Sequence, residues 1–238
     1  MRFLISKEIA ALYPALRIGV LLADGMTNGP DSSALQAETA ERVKLFAESH
    51  PAASIKQDAR VQLWRSVYAQ MGFANHKQYQ PTLEYTLERV AKGKGLPAIS
   101  KVVTAYLLME LKFFLPCGGY DLARLTGNIH LRLSPGGESF LGIGQKEPNQ
   151  TSPSEIVYAD EEKVLTRVWN YRDADATKIT HETSSAVLMV EAPTSATTSA
   201  TALEAIEDIQ TVLQRECGGN YKAFLADTAV AVDYALEY

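Results

Sequence analysis

The hydrophobic pattern of the chain changes period at residues 115–119, whose sequence is Leu-Pro-Cys-Gly-Gly. Between Pro97 and Phe114 the apolar residues cover most of a helical circumference, which is typical of a buried central helix. Pro116 cannot continue that helix, and the two glycines after it permit close approach of the backbone. From 128 to 133 apolar and polar residues alternate, which predicts a strand with one solvated face. The two periods together predict an α+β fold.

The other predicted elements lie on both sides of this change. Helices are predicted at 32–49, 56–71 and 81–92, and a C-terminal helix carries an apolar stripe from Leu203 to Leu213 and ends at Gly218. Strands are predicted at 17–23, 139–143, 156–159, 164–169 and 186–191. We therefore expect a helical N-terminal part packed on a mainly antiparallel β-sheet, followed by a C-terminal helix. The expected units are an N-terminal strand and helix (1–55), a main domain (56–200) and a C-terminal helical segment (201–238).

Composition excludes several classes of protein. Of 238 residues, 46% are hydrophobic and 21% are charged, which favours a folded domain over a disordered chain. The formal net charge is −5, so a large basic surface for general nucleic-acid binding is not expected. The sequence offers no apolar run of membrane-spanning length and no signal-peptide core, so we expect a soluble cytoplasmic protein without a membrane partner. Its two cysteines suit neither a disulfide framework nor a metal site, and no metal or cofactor is expected.

One stretch is locally basic despite the acidic whole. Arg89, Lys92, Lys94 and Lys101 lie within it. A solvated helix end explains such a group, because cations complement the helix dipole there. A contact surface for the backbone of an RNA explains it as well.

Familiar catalytic motifs are not found in the sequence. It contains no nucleophile elbow, P-loop, zinc-protease helix or paired cysteine motif. The histidines, His50, His76, His130 and His181, have no metal-ligand spacing on one element, and His130 belongs to the polar face of its strand. Cys117 lies at the predicted turn without a neighbouring base, so we interpret it as a small packed residue.

The densest group of polar and aromatic residues follows the strand predicted at 164–169. It contains Arg167, Trp169, Asn170, Arg172 and Asp173. Aromatic walls with a few orienting polar groups are typical of a ligand pocket. A salt-bridged loop that covers a sheet edge has the same composition, and both interpretations stay open at this point.

Several short motifs share an order with a known family. They are Arg89-Val90, the run from Gly95 to Val103, Pro116 to Asp121, Leu125, Gly127, Ile129, Leu131-Arg132, Gly137 to Phe140, Glu155 to Asp160, and Val164 to Asp173. Together they resemble the B3/B4 domain, the tRNA-editing domain in the beta subunit of bacterial phenylalanyl-tRNA synthetase, and the last two runs are similar to its free-standing version. The resemblance covers roughly residues 60–192, with a looser match at 14–25.

The resemblance implies a pocket beside a sheet that accepts a wrongly activated amino acid still esterified to tRNA. In the family, hydrolysis is attributed to a positioned water and to the terminal hydroxyl of the tRNA, so no catalytic triad is expected and no catalytic residue is assigned. The residues expected to bind the substrate are Tyr106, Gly118, Gly119, Glu138, Arg167, Trp169, Asn170, Arg172 and Asp173.

Roles follow for some of these residues under the same resemblance. Trp169 would stack, Arg172 would contact a carboxyl or phosphate group, and Asp173 would hold the amino group. Glu138 would orient Arg132 or Arg172. The basic group Arg89, Lys92, Lys94 and Lys101 would meet the tRNA backbone.

The chain also departs from the family. Gly118 stands where the synthetase has a histidine, Ser100-Lys101 replaces Asn-Asn, and Tyr106-Leu107 replaces Thr-Asn. Residues 168–171 replace a glycine-rich turn. Specificity for tyrosine is therefore not carried over. A chain of 238 residues has no room for the aminoacylation and anticodon-binding domains, so it is not expected to charge tRNA by itself.

Three functions remain open from the sequence. The first is an editing-type domain that binds aminoacyl-tRNA and hydrolyses it in trans. The second is a non-catalytic protein that binds an amino acid or small metabolite, with no affinity for tRNA. The third is an interaction protein that docks through its C-terminal helix.

Overall fold

The computed structural model describes residues 1–237. Its helices are α1 (Lys7–Leu12), α2 (Ser33–Ser49), α3 (Ala52–Ile55), α4 (Ala59–Gln70), α5 (Thr82–Ala91), α6 (Lys101–Phe113) and α7 (Ser199–Cys217). Its strands are β1 (Arg2–Ile5), β2 (Arg17–Asp24), β3 (Cys117–Asp121), β4 (Ile129–Leu133), β5 (Ser139–Phe140), β6 (Asn149–Gln150), β7 (Ile156–Ala159), β8 (Val164–Arg167), β9 (Arg172–Asp173), β10 (Ala186–Ala192), β11 (Asn220–Asp227) and β12 (Asp233–Ala235). The fold is α+β, as the sequence predicts.

The strands form two main sheets. The larger has the order β12-β1-β4-β7-β8-β9 and is antiparallel except for the pair β1 and β4. The smaller has the order β11-β2-β10-β3 and is antiparallel throughout. Strands β5 and β6 form a separate two-stranded ribbon.

Strand β2 separates two hydrophobic cores. Ile18 and Val20 point into the first core, which also holds the large sheet and Trp64 of α4. Leu21 and Ala23 point into the second core, which is formed with α6 and α7. Successive side chains of a strand alternate between faces, so a strand buried on both sides reads as a continuous apolar run. The smaller sheet is thus a layer between the helices α6 and α7 and the larger sheet.

The central helix is shorter than predicted at its start. Ser100 has extended backbone and its Oγ accepts a hydrogen bond from the Val103 backbone N at 3.4 Å, so α6 begins at Lys101 rather than Pro97. Ile99 consequently lies outside the helix and is 49% exposed.

Two predicted strands are also shorter in the structure. The strand expected at 139–143 is paired only at Ser139–Phe140, with a single further bridge from Gly142 to Ala174. The strand expected at 164–169 ends at Arg167, because Val168 and Trp169 have φ angles of +48° and +63°.

The ends of the chain hold elements that the sequence patterns do not identify. β1 and β12 pair with each other, and β11 adds an edge to the smaller sheet after α7. Within residues 1–237, no helix is long and apolar enough to cross a membrane.

Candidate functional site

A cavity of about 660 Å³ opens where α5 and α6 face the two sheets. We call it the central cavity. Its lining comes from α6, from the start of β3, from β9 with the loop before it, and from β10. The lining residues from these elements and from the neighbouring strands include Tyr106, Glu110, Cys117, Gly118, Tyr120, Tyr158, Thr166, Asn170, Arg172, Asp173, Met189 and Glu191.

Adjacent glycines at the start of β3 have different surroundings. A Cβ on Gly119 would lie 2.4 Å from Leu188 Cδ2, so this glycine permits close packing of β3 on β10. A Cβ on Gly118 would meet only Asp173, at 3.9 Å from Oδ1. Gly118 therefore leaves space in the central cavity, in front of the Asp173 carboxyl.

Three carboxyls line the cavity, and we call Glu110, Asp173 and Glu191 the carboxyl cluster. Glu110 and Glu191 are 1% and 2% exposed, whereas Asp173 is partly exposed. None of them has an ion-pair partner among the described residues. Buried carboxyls are normally paired with a cation, so their grouping without one is a distinctive property of the site.

The surroundings of the cluster disfavour negative charge. Burial raises the pKa of Glu110 to about 8, and the nearby Glu191 adds to this effect. Burial also raises the pKa of Glu191 to about 8, although hydrogen bonds from Tyr158 and Asn170 favour its ionised form. Burial raises the pKa of Asp173 to about 6, against the effect of a hydrogen bond from Thr166. At neutral pH the two glutamates of the cluster thus favour their protonated forms, and a cation beside them would help to ionise them.

Hydrogen bonds hold most of the cluster in place. Tyr158 donates to Glu191 Oε1 at 2.6 Å, and Asn170 Nδ2 donates to Glu191 Oε2 at 2.5 Å. Thr166 Oγ1 donates to Asp173 Oδ1 at 2.6 Å. Glu110 differs, since Oε1 accepts from the Cys117 backbone N at 3.0 Å while Oε2 is buried without a hydrogen-bond partner among the described residues.

The rim of the cavity has a different character. We define it as Lys77, Tyr85, Ile99, Ile143 and Arg172. Lys77 and Arg172 are the basic side chains of the lining, and neither forms an ion pair with a described residue. The other three are large apolar or aromatic side chains that are 44–53% exposed. The cavity thus has an acidic interior and a rim with cationic and apolar groups.

The comparison with protein families matches the B3/4 domain at residues 63–230, which is more than half of the chain. The chain belongs to the B3/4 domain family. The resemblance predicted from sequence motifs is therefore confirmed, and the match extends beyond residue 192. A comparison with curated proteins gives no match.

Among solved structures, this B3/4 domain is similar to an N-terminal fragment of the phenylalanyl-tRNA synthetase beta subunit from Pyrococcus horikoshii. The two share 11% sequence identity with a TM-score of 0.47. The similarity covers 95% of this chain and 53% of the fragment, so the chain spans about half the length of that structure.

Five of the residues predicted to bind substrate line the cavity of this B3/4 domain in a position to meet a ligand. They are Tyr106, Gly118, Asn170, Arg172 and Asp173. Arg172 lies 5.4 Å from the centre of the Tyr171 ring, and burial raises the pKa of Tyr106 well above its usual value.

Trp169 has a different place from the one predicted. The side chain is fully buried and makes T-shaped contacts with Tyr13 and Trp64, at ring-centre distances of 4.7 Å and 5.3 Å. A ring without an exposed face cannot stack on a ligand, so the stacking role is corrected to one in the core. Its indole N–H lies beside Glu191 and favours the ionised carboxylate, without hydrogen-bond geometry.

Trp169 still belongs to the cavity lining, whereas three predicted residues, Arg167, Glu138 and Gly119, lie outside it. Arg167 forms a two-point ion pair with Glu155, with both N···O distances at 2.7 Å. Glu138 pairs with Arg132 at 2.6 Å, which is one of the two partners expected for it. Gly119 is buried against β10. These residues shape the fold near the site and do not face the central cavity.

The basic group expected to meet tRNA is engaged within the protein at three of its four positions. Arg89 donates to the Gly95 backbone carbonyl at 2.9 Å, and Lys92 pairs with Glu88 at 2.6 Å. Lys101 donates to the Glu216 carbonyl at the end of α7, at 2.9 Å. Lys94 is exposed. Helix termini account for the positions of Lys92 and Lys101, as the first interpretation of this stretch expects.

The thiol and the histidines contribute no obvious nucleophile or base. Burial raises the pKa of the Cys117 thiol well above its usual value, so the thiol is protonated near neutral pH. None of the four histidines lines the cavity. Among residues 1–237, no three His, Cys, Asp or Glu side chains, the carboxyl cluster included, are arranged so that they could hold a metal ion.

Sequence reasoning missed Glu110 and Glu191, the two most buried carboxyls of the cavity. A signal for both is present: Glu110 interrupts the apolar circumference of α6, and Glu191 lies in the fully buried strand β10. An acid at a position that the pattern assigns to the core requires a partner or a function.

Proposed function

We propose that this B3/4 domain binds the aminoacyl group of a mischarged tRNA in the central cavity and hydrolyses its ester bond in trans. The observation that carries the proposal is the combination of an acidic interior with a cationic and apolar rim around one cavity. An α-ammonium group suits the carboxyls, and a phosphate or ester carbonyl suits Arg172. The resemblance to a tRNA-editing domain supports the same function.

The proposed reaction needs only water as its second reactant. The water oxygen forms a bond to the ester carbonyl carbon, and the bond from that carbon to the ribose oxygen breaks. The ribose oxygen takes one proton of the water, and the other proton leaves from the new carboxyl group, which yields the free tRNA hydroxyl and the free amino acid. Since the Cys117 thiol is protonated near neutral pH, no acyl-enzyme on that residue is invoked.

The rim provides groups for the end of the nucleic acid. Tyr85 is 53% exposed and has an aromatic face for a terminal base, while Lys77 and Arg172 are available to phosphate. Since the overall charge is −5, a local contact of this kind fits the chain better than an extended basic surface.

A second candidate function is supported by a separate observation. Gly118 stands at the position of the histidine in the resembling domain, and no histidine lines the cavity. A binding protein for a free amino acid or metabolite needs the cavity without any hydrolytic group. It would bind its ligand without affinity for tRNA.

The test measures deacylation of a panel of correctly and wrongly charged tRNAs. We expect selective hydrolysis of a mischarged species, and a rate at least tenfold lower for Arg172→Ala because a charge-assisted contact is lost. Tyr85→Ala should weaken tRNA binding while leaving the binding of free amino acid unchanged. Lys44→Ala, on the exposed surface of α2, is the matched control and should behave as wild type.

Each alternative outcome has a defined meaning. Binding of a free amino acid without turnover of any charged tRNA would support the second candidate. Full activity of Arg172→Ala would show that Arg172 does not contact the substrate.

A further inference from the structure

We propose that the interior of the central cavity takes a positively charged side chain, so that its aminoacyl substrate belongs to the basic amino acids. Glu110 is the specificity-determining residue and would contact the side-chain cation, while Asp173 would hold the α-ammonium. This inference rests on the proposed function for the orientation of the ligand.

The orientation follows from the attachment to tRNA. The ester end of the substrate must stay at the rim, because the nucleic acid is too large to enter a cavity of about 660 Å³. Asp173 is partly exposed and adjoins Arg172 on β9, so it lies where the α-ammonium must be. The amino-acid side chain then extends inward, past Gly118, where no Cβ blocks the way.

The two interior carboxyls differ in their free capacity. Both oxygens of Glu191 already accept hydrogen bonds, from Tyr158 and from Asn170. Oε2 of Glu110 accepts none with hydrogen-bond geometry from a described residue, although the Thr86 side chain lies near this carboxyl and favours its ionised form. A buried acceptor without a partner is unfavourable, so a ligand donor that reaches the Glu110 carboxyl gains a contact that the protein lacks.

The charge of the interior selects a cation over a neutral donor. The basic side chains of the lining, Lys77 and Arg172, are both at the rim. The negative charge of Glu191 opposes ionisation of Glu110, and that of Asp173 opposes ionisation of Glu191. An ammonium or guanidinium between them would remove this repulsion, whereas a phenol or an amide would leave it in place.

The walls beside Glu110 suit the methylene chain of a basic residue. Leu107 of α6, the helix that carries Glu110, and Met189 of β10 add apolar groups to the cavity lining. Long cationic side chains place their methylenes along apolar surface and their charge at a polar end. Arginine, lysine and their close analogues have this form.

The first test measures binding of free L-arginine and L-lysine by calorimetry, against L-citrulline and L-norleucine. Each member of the second pair matches a member of the first in size and lacks its charge. We expect arginine or lysine to bind at least tenfold more tightly than its neutral counterpart. In Glu110→Gln the preference should fall to less than threefold, while Glu147→Gln, an exposed carboxyl away from the lining, should keep it.

Folding of the variant is checked separately by thermal unfolding. Because burial favours the neutral form of Glu110, the amide should be tolerated. Asp173→Asn serves as a second variant, which should weaken the binding of all α-amino acids alike. Equal affinity for charged and neutral ligands in the wild type would overturn the inference.

The deacylation panel separates this inference from the proposed function. Hydrolysis of tRNAs that carry lysyl, ornithyl or arginyl groups, with tyrosyl and leucyl groups spared, supports both. Hydrolysis only of the neutral species overturns the inference and leaves the proposed function standing. Charge-selective binding of free amino acids with no hydrolysis supports the inference for the cavity and overturns the hydrolytic function.

Discussion

Two glutamates of this B3/4 domain, Glu155 and Glu110, are equally buried and have opposite surroundings. Glu155 is 0% exposed and accepts hydrogen bonds from Arg167 Nε and Nη2 at 2.7 Å, and from the backbone N of Ser152 and of Val168. Glu110 is 1% exposed and has one backbone donor and no cation. Both are acids in a core, and only the second lines a cavity.

The difference shows what marks a candidate site in this molecule. A buried carboxylate with a complete set of donors fixes local structure, since here it holds the left-handed residues after β8. A buried carboxyl that lines a cavity and has one oxygen without a hydrogen-bond partner leaves an interaction unmade. Burial is common to both, so the missing partner, and not the burial, makes Glu110 a candidate for ligand binding.

The largest expected loss of stability comes from removing the cationic partner of Glu155, which leaves this carboxylate without a cation, as Glu110 is. Arg167→Ala removes the cation and leaves a buried charge with backbone donors only. We expect the free energy of unfolding to fall by about 3–5 kcal/mol, as measured by urea denaturation. Lys44→Ala, which breaks an exposed pair, should change little. A loss for Arg167→Ala as small as that of the control would mean that the ion pair does not hold the loop.

A smaller effect is expected in the dependence of stability on pH. The pKa of Glu110 is raised by burial to about 8, so the folded state binds this proton more tightly than the unfolded chain. The stability that the bound proton provides is complete below the unfolded pKa, near 4.5, and is lost as the pH rises toward about 8.

Glu110→Gln tests this directly because the amide cannot ionise. From pH 5.5 to 7.5 the wild type should lose about 2–3 kcal/mol more than the variant, as measured by unfolding at each pH. The carboxyls whose pKa is lowered by a cation, such as Glu138 beside Arg132 and Asp160 beside Lys163, titrate below this range. Parallel pH profiles for Glu110→Gln and wild type would show that Glu110 does not titrate as its burial implies.

Much of the fold could be predicted from the sequence because the apolar periods are strong. The change of period at 115–119 identified α6 and β4, and the α+β class followed from it, whereas β3 begins at Cys117 inside the residues predicted as a turn. Strands β1 and β12 were not identified, since they have only 4 and 3 residues and their pairing depends on distant parts of the chain. The early end of β8 was not predicted, because Val168 and Trp169 have positive φ angles that valine and tryptophan rarely adopt. Nothing in the sequence indicates this conformation.

The candidate site was less predictable than the fold. Arg172, Asp173 and Asn170 were found because they are adjacent polar residues in one loop. Glu110 lies on a helix and Glu191 on a strand, and the two residues are 81 positions apart in the chain. Only tertiary packing brings them to one cavity. Trp169 was assigned to the ligand because composition alone does not tell an aromatic wall from an aromatic core.

The smallest expected effects on stability come from replacing two adjacent glycines, Gly118 and Gly119, by alanine, and the two replacements should differ. In Gly119→Ala the new Cβ would lie 2.4 Å from Leu188 Cδ2 and 2.7 Å from the Val187 carbonyl, so we expect a loss of about 1–3 kcal/mol in urea unfolding. In Gly118→Ala the nearest atom is Asp173 Oδ1 at 3.9 Å, an ordinary contact, so stability should change by less than about 1 kcal/mol.

The same pair separates packing from ligand binding. The methyl group introduced by Gly118→Ala would occupy space in front of the Asp173 carboxyl, where the α-ammonium is proposed to bind. The affinity for arginine should therefore fall about tenfold although the protein stays folded. Calorimetry with L-arginine on both variants measures this, at a temperature where Gly119→Ala is still folded. Unchanged affinity in Gly118→Ala would place the ligand away from β3, because a methyl group at that position cannot avoid a ligand bound against Asp173.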